Sequence, residues 1–69
     1  MAHLKPVSLP VPNAVVELTD TKTGELIYCY RAKGETFKAP VYKNGNYTLK
    51  AGKDKPTQVL LENVPVTAK

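Results

Sequence analysis

Residues 14 to 31 read Ala14-Val15-Val16-Glu17-Leu18-Thr19-Asp20-Thr21-Lys22-Thr23-Gly24-Glu25-Leu26-Ile27-Tyr28-Cys29-Tyr30-Arg31. Up to Asp20 the apolar residues recur with a period near two. Ala14, Val16 and Leu18 share one face, and Val15, Glu17 and Thr19 the other. That is the pattern of a half-buried strand. The Asp20-Thr21-Lys22-Thr23-Gly24 segment is turn chemistry: the Asp20 carboxylate can accept hydrogen bonds from its own turn, and Gly24 supplies positive φ. Glu25 to Ala32 alternates again, with Leu26, Tyr28 and Tyr30 predicted on one face and Ile27, Cys29 and Arg31 on the other. Together the two runs specify an antiparallel hairpin.

The same grammar extends outward. Lys33-Gly34 is a second turn. Glu35 to Tyr42 follows with Phe37, Ala39 and Val41 facing one way, and Pro40 marks an edge or a bulge. Asn44-Gly45, within Lys43-Asn44-Gly45-Asn46, suits a two-residue hairpin with positive φ at both centres. Tyr47, Leu49 and Ala51 then alternate with Thr48 and Lys50. Gly52 to Pro56 breaks the chain. Thr57 to Val64 is the last strand, with Val59 and Leu61 on one face and Gln58, Leu60, Glu62 and Val64 on the other; Pro65 ends it. Before Asn13, Pro6, Pro10 and Pro12 punctuate Val7, Leu9 and Val11, so residues 1–13 are expected to be a proline-rich extended arm or linker. No helical stripe of useful length occurs. The expected fold is all-β: a small antiparallel β-sandwich or partly open barrel of about five strands. The β-module spans 14–65, followed by a tail at 66–69.

Composition narrows the function classes. The chain has 69 residues, 42% of them hydrophobic, enough for one thin core. It carries one His (His3), one Cys (Cys29) and one Ser (Ser8). That set cannot build a four-ligand thiolate or imidazole metal site, and it makes an independent enzyme a poor expectation. No catalytic, cofactor-binding or metal-binding residue is assigned. Ten basic residues face six acids, for a net charge of +4. The only Arg is Arg31, whereas base reading and bidentate phosphate contacts favour Arg. One Cys cannot close an internal disulfide. The opening Met1-Ala2-His3-Leu4-Lys5-Pro6 lacks the apolar core of a signal peptide, and no apolar run approaches the ~18 residues of a membrane helix.

With Asp20, Thr23 and Gly24 in one turn, Phe37 as a lone aromatic, and Gly45, Tyr47 and Leu49 in a Gly-x-Tyr-x-Leu strand, the stretch from Ala14 to Gly52 resembles carboxypeptidase regulatory-like domains, small transthyretin-like (prealbumin-like) sandwich modules. A further similarity runs from Gly24 through Arg31 to Phe37, Val41, Gly45 and Tyr47. It is to the C-terminal appendage of some exported bacterial phosphatase-like hydrolases. These motifs are turn and core positions, so the resemblance implies a fold and an accessory role rather than chemistry. Such modules usually start with a Gly-containing strand, and here the proline-rich segment takes that place.

Three groups of residues are candidates for function. Cys29 is mid-strand with no base near it in sequence, and is expected to be a buried or half-buried structural residue. Lys38, Lys43, Lys50, Lys53 and Lys55 form the densest positive feature, interrupted by Asp54. Gathered at one edge, they would attract an anionic glycan or phosphate; dispersed, they are solvated faces that discourage aggregation. Tyr42 is expected to be exposed beside Lys43. Tyr28, Tyr30 and Tyr47 are expected to pack in the core with their hydroxyls at its rim. Asp20, Gly24, Asn44 and Gly45 are structural turn residues.

The functional expectation is a non-catalytic accessory β-module, appended to a longer exported, extracytoplasmic bacterial protein. Its partner would be a neighbouring domain or protein, met through a sheet face or an open edge strand. The alternatives are a small module binding an anionic glycan or phosphate, or a nucleic-acid-binding small barrel. The nucleic-acid reading is disfavoured by the single Arg. No cofactor and no membrane span are expected.

Overall fold

The computed structural model describes residues 2–66. Its strands are β1 (Ala2–His3), β2 (Val7–Ser8), β3 (Val15–Asp20), β4 (Leu26–Arg31), β5 (Thr36–Phe37), β6 (Pro40–Val41), β7 (Asn46–Gly52) and β8 (Gln58–Pro65). No helix occurs among the described residues, and all strand pairs are antiparallel. The fold is therefore all-β. Four longer strands form one sheet in the order β4-β3-β7-β8, while β1 pairs with β6 and β2 with β5.

These short pairs are successive stretches of one irregular ribbon. Its ladder continues between them through Leu4 N–H to the Ala39 carbonyl and, beyond β2, Leu9 N–H to the Glu35 carbonyl. The ribbon supplies buried Leu4, Ala39 and Val41 to the same core as Val16, Leu18, Tyr47, Leu49, Ala51 and Leu61 of the sheet. A two-layer sandwich results, and the molecule's least extent of 16 Å fits two thin layers.

This arrangement revises the arm. Residues 1–13 are expected to be an extended arm or linker outside the module at 14–65, and the described part is extended. Yet Leu4 is fully buried, and Val7, Leu9 and Val11 pack on the core. This segment helps cover the core because the four-stranded sheet alone would leave its inner face open to water. At the other end, Val66 packs against the core. The rest of the expected tail, 67–69, lies outside the described residues.

Face assignments change in β4 and β8 because bulges break the strict period of two. Among them Val59, expected on the face of Leu61, pairs with outward Lys50 past a second shift in β8 and is 47% exposed. In β4 the register moves from Leu18↔Tyr28 to Thr19↔Leu26, so Ile27 is the extra residue. Ile27 joins Tyr28 against the core, and Leu26 turns out to 54% exposure. In β8, Val64 pairs with Tyr47 and Leu61 with Leu49, three residues against two. Val64 and Leu61 thereby meet the same inner face instead of opposite ones, and Asn63 absorbs the kink at φ 53°.

The Asn44-Gly45 turn also differs from expectation. It is not a two-residue hairpin, since β6 pairs with β1 and β7 with β3 and β8. It carries the chain from one layer to the other, with Gly45 nearly extended at φ 159°. The Tyr47 hydroxyl donates to the Lys43 carbonyl at 2.9 Å, and its ring lies 3.6 Å from the Cβ position of Gly45. The contact has the form of a tyrosine corner, which fixes the crossover.

Candidate functional site

The lysines do not gather. Lys43 precedes β7 while Lys53 and Lys55 follow it, and a strand of that length separates its ends by roughly 20 Å. Lys50 lies mid-strand on the outer sheet face, half-buried, with Glu17 and Val59 as its cross-strand neighbours. Lys38 is exposed between β5 and β6. Arg31 serves the fold: its Nη1 donates to the Asn13 carbonyl at 2.8 Å and the Lys53 carbonyl at 3.2 Å. It ties two loops at one end of the sheet.

Strand β4 is one free edge of the four-stranded sheet. Ala32 N–H donates to the Ala14 carbonyl at 2.9 Å, which sets the phase of the ladder. By antiparallel alternation, Tyr30 and Tyr28 then turn their backbone groups to β3, and Cys29 and Arg31 turn theirs outward. Cys29 is exposed, not buried, because it sits on the outer face of an edge strand that nothing covers. Tyr30 also departs from its expected core position and is 44% exposed.

The tyrosines on this edge form a group. Tyr28 and Tyr30 stack with centroids 5.1 Å apart, and Phe37 meets Tyr30 edge-on at 6.1 Å. The half-buried Tyr28 hydroxyl donates to the Pro40 carbonyl at 3.0 Å. Burial pushes its ionisation well above the usual phenol range, and the nearby hydroxyls of Tyr30 and Tyr42 push it further. Tyr42 is 83% exposed, as its sequence context predicts.

A second feature lies at the opposite end of the sheet from Arg31. The Asp20 turn forms as read. Asp20 Oδ1 accepts from Lys22 N–H at 2.9 Å and Thr23 N–H at 3.2 Å, and Gly24 takes φ 78°. Beside it opens a cleft of about 730 Å³, lined by Asp20, Thr21, Lys22, Lys43, Asn44, Gly45, Asn46 and Asn63. Asn46 Nδ2 donates to Asn63 Oδ1 at 3.1 Å, and the Thr21 and Thr48 hydroxyls are 2.7 Å apart. Of the expected site residues only Lys43 and the turn residues Asp20, Asn44 and Gly45 meet here. Lys22, Asn46 and Asn63 were not expected at a common site, because no local spacing signals that two turns and a strand bulge converge.

No family model, curated protein or solved structure matches this chain. No group of three or more His, Cys, Asp or Glu positioned for a metal occurs among the described residues. No helix there is long and apolar enough to cross a membrane.

Proposed function

We propose that the chain is a non-catalytic accessory β-module of a longer exported protein, docking a neighbouring domain or protein through the β4 edge. One observation carries this reading. Of the four exposed large hydrophobic side chains among the described residues, Leu26, Tyr30, Tyr42 and Val59, two lie on β4 and a third belongs to its tyrosine group. Exposed aromatics beside unpaired backbone groups suit strand addition, in which main-chain bonds give affinity and flanking side chains give specificity. This edge is less blunted than the other one: it carries one bulge, at Ile27, and one cation, Arg31. No Lys or Pro occurs between Leu26 and Tyr30, whereas β8, at the other edge, has two register shifts and ends in Pro65. The bulge at Ile27 confines regular pairing to Tyr28–Arg31.

A photo-crosslinker on Cys29 tests the reading in the protein's natural setting. Capture of one defined partner strand from position 29, absent when the label is moved to position 38 or 53 in a Cys29→Ser background, is the expected result. Equal capture from all three positions overturns it.

A further inference from the structure

We infer that the cleft between the Asp20 and Asn44 turns and the β8 bulge at Asn63 binds a small hydroxyl-rich molecule carrying one oxyanion, such as a sugar phosphate or a uronic acid. This goes beyond docking at β4 and does not depend on it.

The charge pattern selects the anion. Lys22 and Lys43 are 21 positions apart in sequence, yet both line the cleft. Among the described lining residues, Asp20 is the only carboxylate. It is 9% exposed, and its Oδ1 already accepts two backbone N–H groups. The lining therefore holds two ammonium groups against one carboxylate that is turned into its own loop, a net charge of +1, and each ammonium is a strong phosphate or carboxylate partner.

The neutral lining selects hydroxyls. Asn44, Asn46 and Asn63 bring three carboxamides to one space, each with donor and acceptor atoms. Asn46 and Asn63 bond each other through one donor and one acceptor. The second Asn46 amide proton and the whole Asn63 amino group stay available for vicinal hydroxyls. Asn63 stands at the β8 bulge with a left-handed backbone, and its amide is held here by the bond from Asn46. No aromatic lines the cleft, so stacking of a nucleobase has no platform. A volume of about 730 Å³ suits a small molecule, not a polymer groove.

Titration of the isotope-labelled chain with glucose 6-phosphate, glucuronate, glucose and inorganic phosphate tests this. The first two should shift amide signals of Thr21, Lys22, Asn44, Asn46 and Asn63 saturably, and each should bind more tightly than glucose or inorganic phosphate. The pair Lys22→Gln with Lys43→Gln should weaken binding by about tenfold or more, since each lost charge-assisted bond is worth over 1 kcal/mol. Lys53→Gln with Lys55→Gln removes the same charge at the far end and should leave affinity within about twofold. Asn63→Gly keeps the left-handed backbone and deletes the amide, so it should weaken both ligands with the fold intact. Shifts that fail to saturate, or equal losses from the two lysine pairs, overturn the site. Glucose 6-phosphate binding no tighter than inorganic phosphate overturns the reading of hydroxyls.

Discussion

Asn13 and Gly34 hold each other twice. Asn13 N–H donates to the Gly34 carbonyl at 2.8 Å, and Gly34 N–H donates to Asn13 Oδ1 at 2.7 Å. Both residues have positive φ, 58° and 82°. This pair of hydrogen bonds closes the ribbon where the N-terminal segment enters β3, and Arg31 grips the same loop through the Asn13 carbonyl. Asn13→Ala loses the side-chain acceptor and puts an ordinary side chain in a left-handed conformation. It should cost about 1–3 kcal/mol in chemical denaturation, and Asn13→Gly should cost less because glycine bears no conformational penalty.

Gly52 is constrained by space, not by φ. It is buried, and a Cβ built on it would overlap the backbone carbonyl oxygen of Lys55 in its own turn. Backbone cannot swing aside as a flexible side chain can. Gly52→Ala should destabilise by about 1–3 kcal/mol or more through overpacking. Gly24→Ala, where a Cβ meets nothing within 4 Å, should cost only the strain of its φ of 78°. Parallel denaturation curves separate the two mechanisms.

The Tyr28 phenol is held protonated by burial first and by Tyr30 and Tyr42 second. Its folded ionisation lies above the unfolded value of about 10. The unfolded chain therefore loses this proton first as pH rises. Stability from Tyr28 is complete below pH about 10 and falls as pH climbs toward the folded value. Melting temperatures across alkaline pH should drop more steeply for the native chain than for Tyr28→Phe, which removes the titrating group.

Tyr47→Phe keeps the buried ring and deletes the hydroxyl that holds the Lys43 carbonyl. The loss should be about 1 kcal/mol. Tyr47→Ala should cost about 3–5 kcal/mol, as for other buried aromatics, and unfold a domain this small. Denaturant midpoints distinguish the corner's bond from its packing.

The strands were legible where period and turn chemistry agreed. Val16 and Leu18 face inward as their alternation requires, and Asp20 and Gly24 close the turn their side-chain chemistry demands. The ribbon was not legible, because Pro6, Pro10 and Pro12 signal extended chain without saying what it pairs with. Leu26, Val59 and Val64 were misassigned because a bulge leaves no local mark in an alternating run. Cys29 was misread because a mid-strand position says nothing of whether the strand is central or at an edge. The cleft was invisible because its lysines and asparagines come from two turns and a strand bulge brought together only by the sheet order.

Amide hydrogen exchange at Tyr28, Cys29, Tyr30 and Arg31 tests the free edge most directly. In the isolated chain, Tyr28 and Tyr30 should be protected by β3, while Cys29 and Arg31 exchange freely. In the longer protein, or with its docking partner present, Cys29 and Arg31 should become protected as well. Cys29 and Arg31 protected in the isolated chain, or still unprotected in the full assembly, would contradict docking at β4.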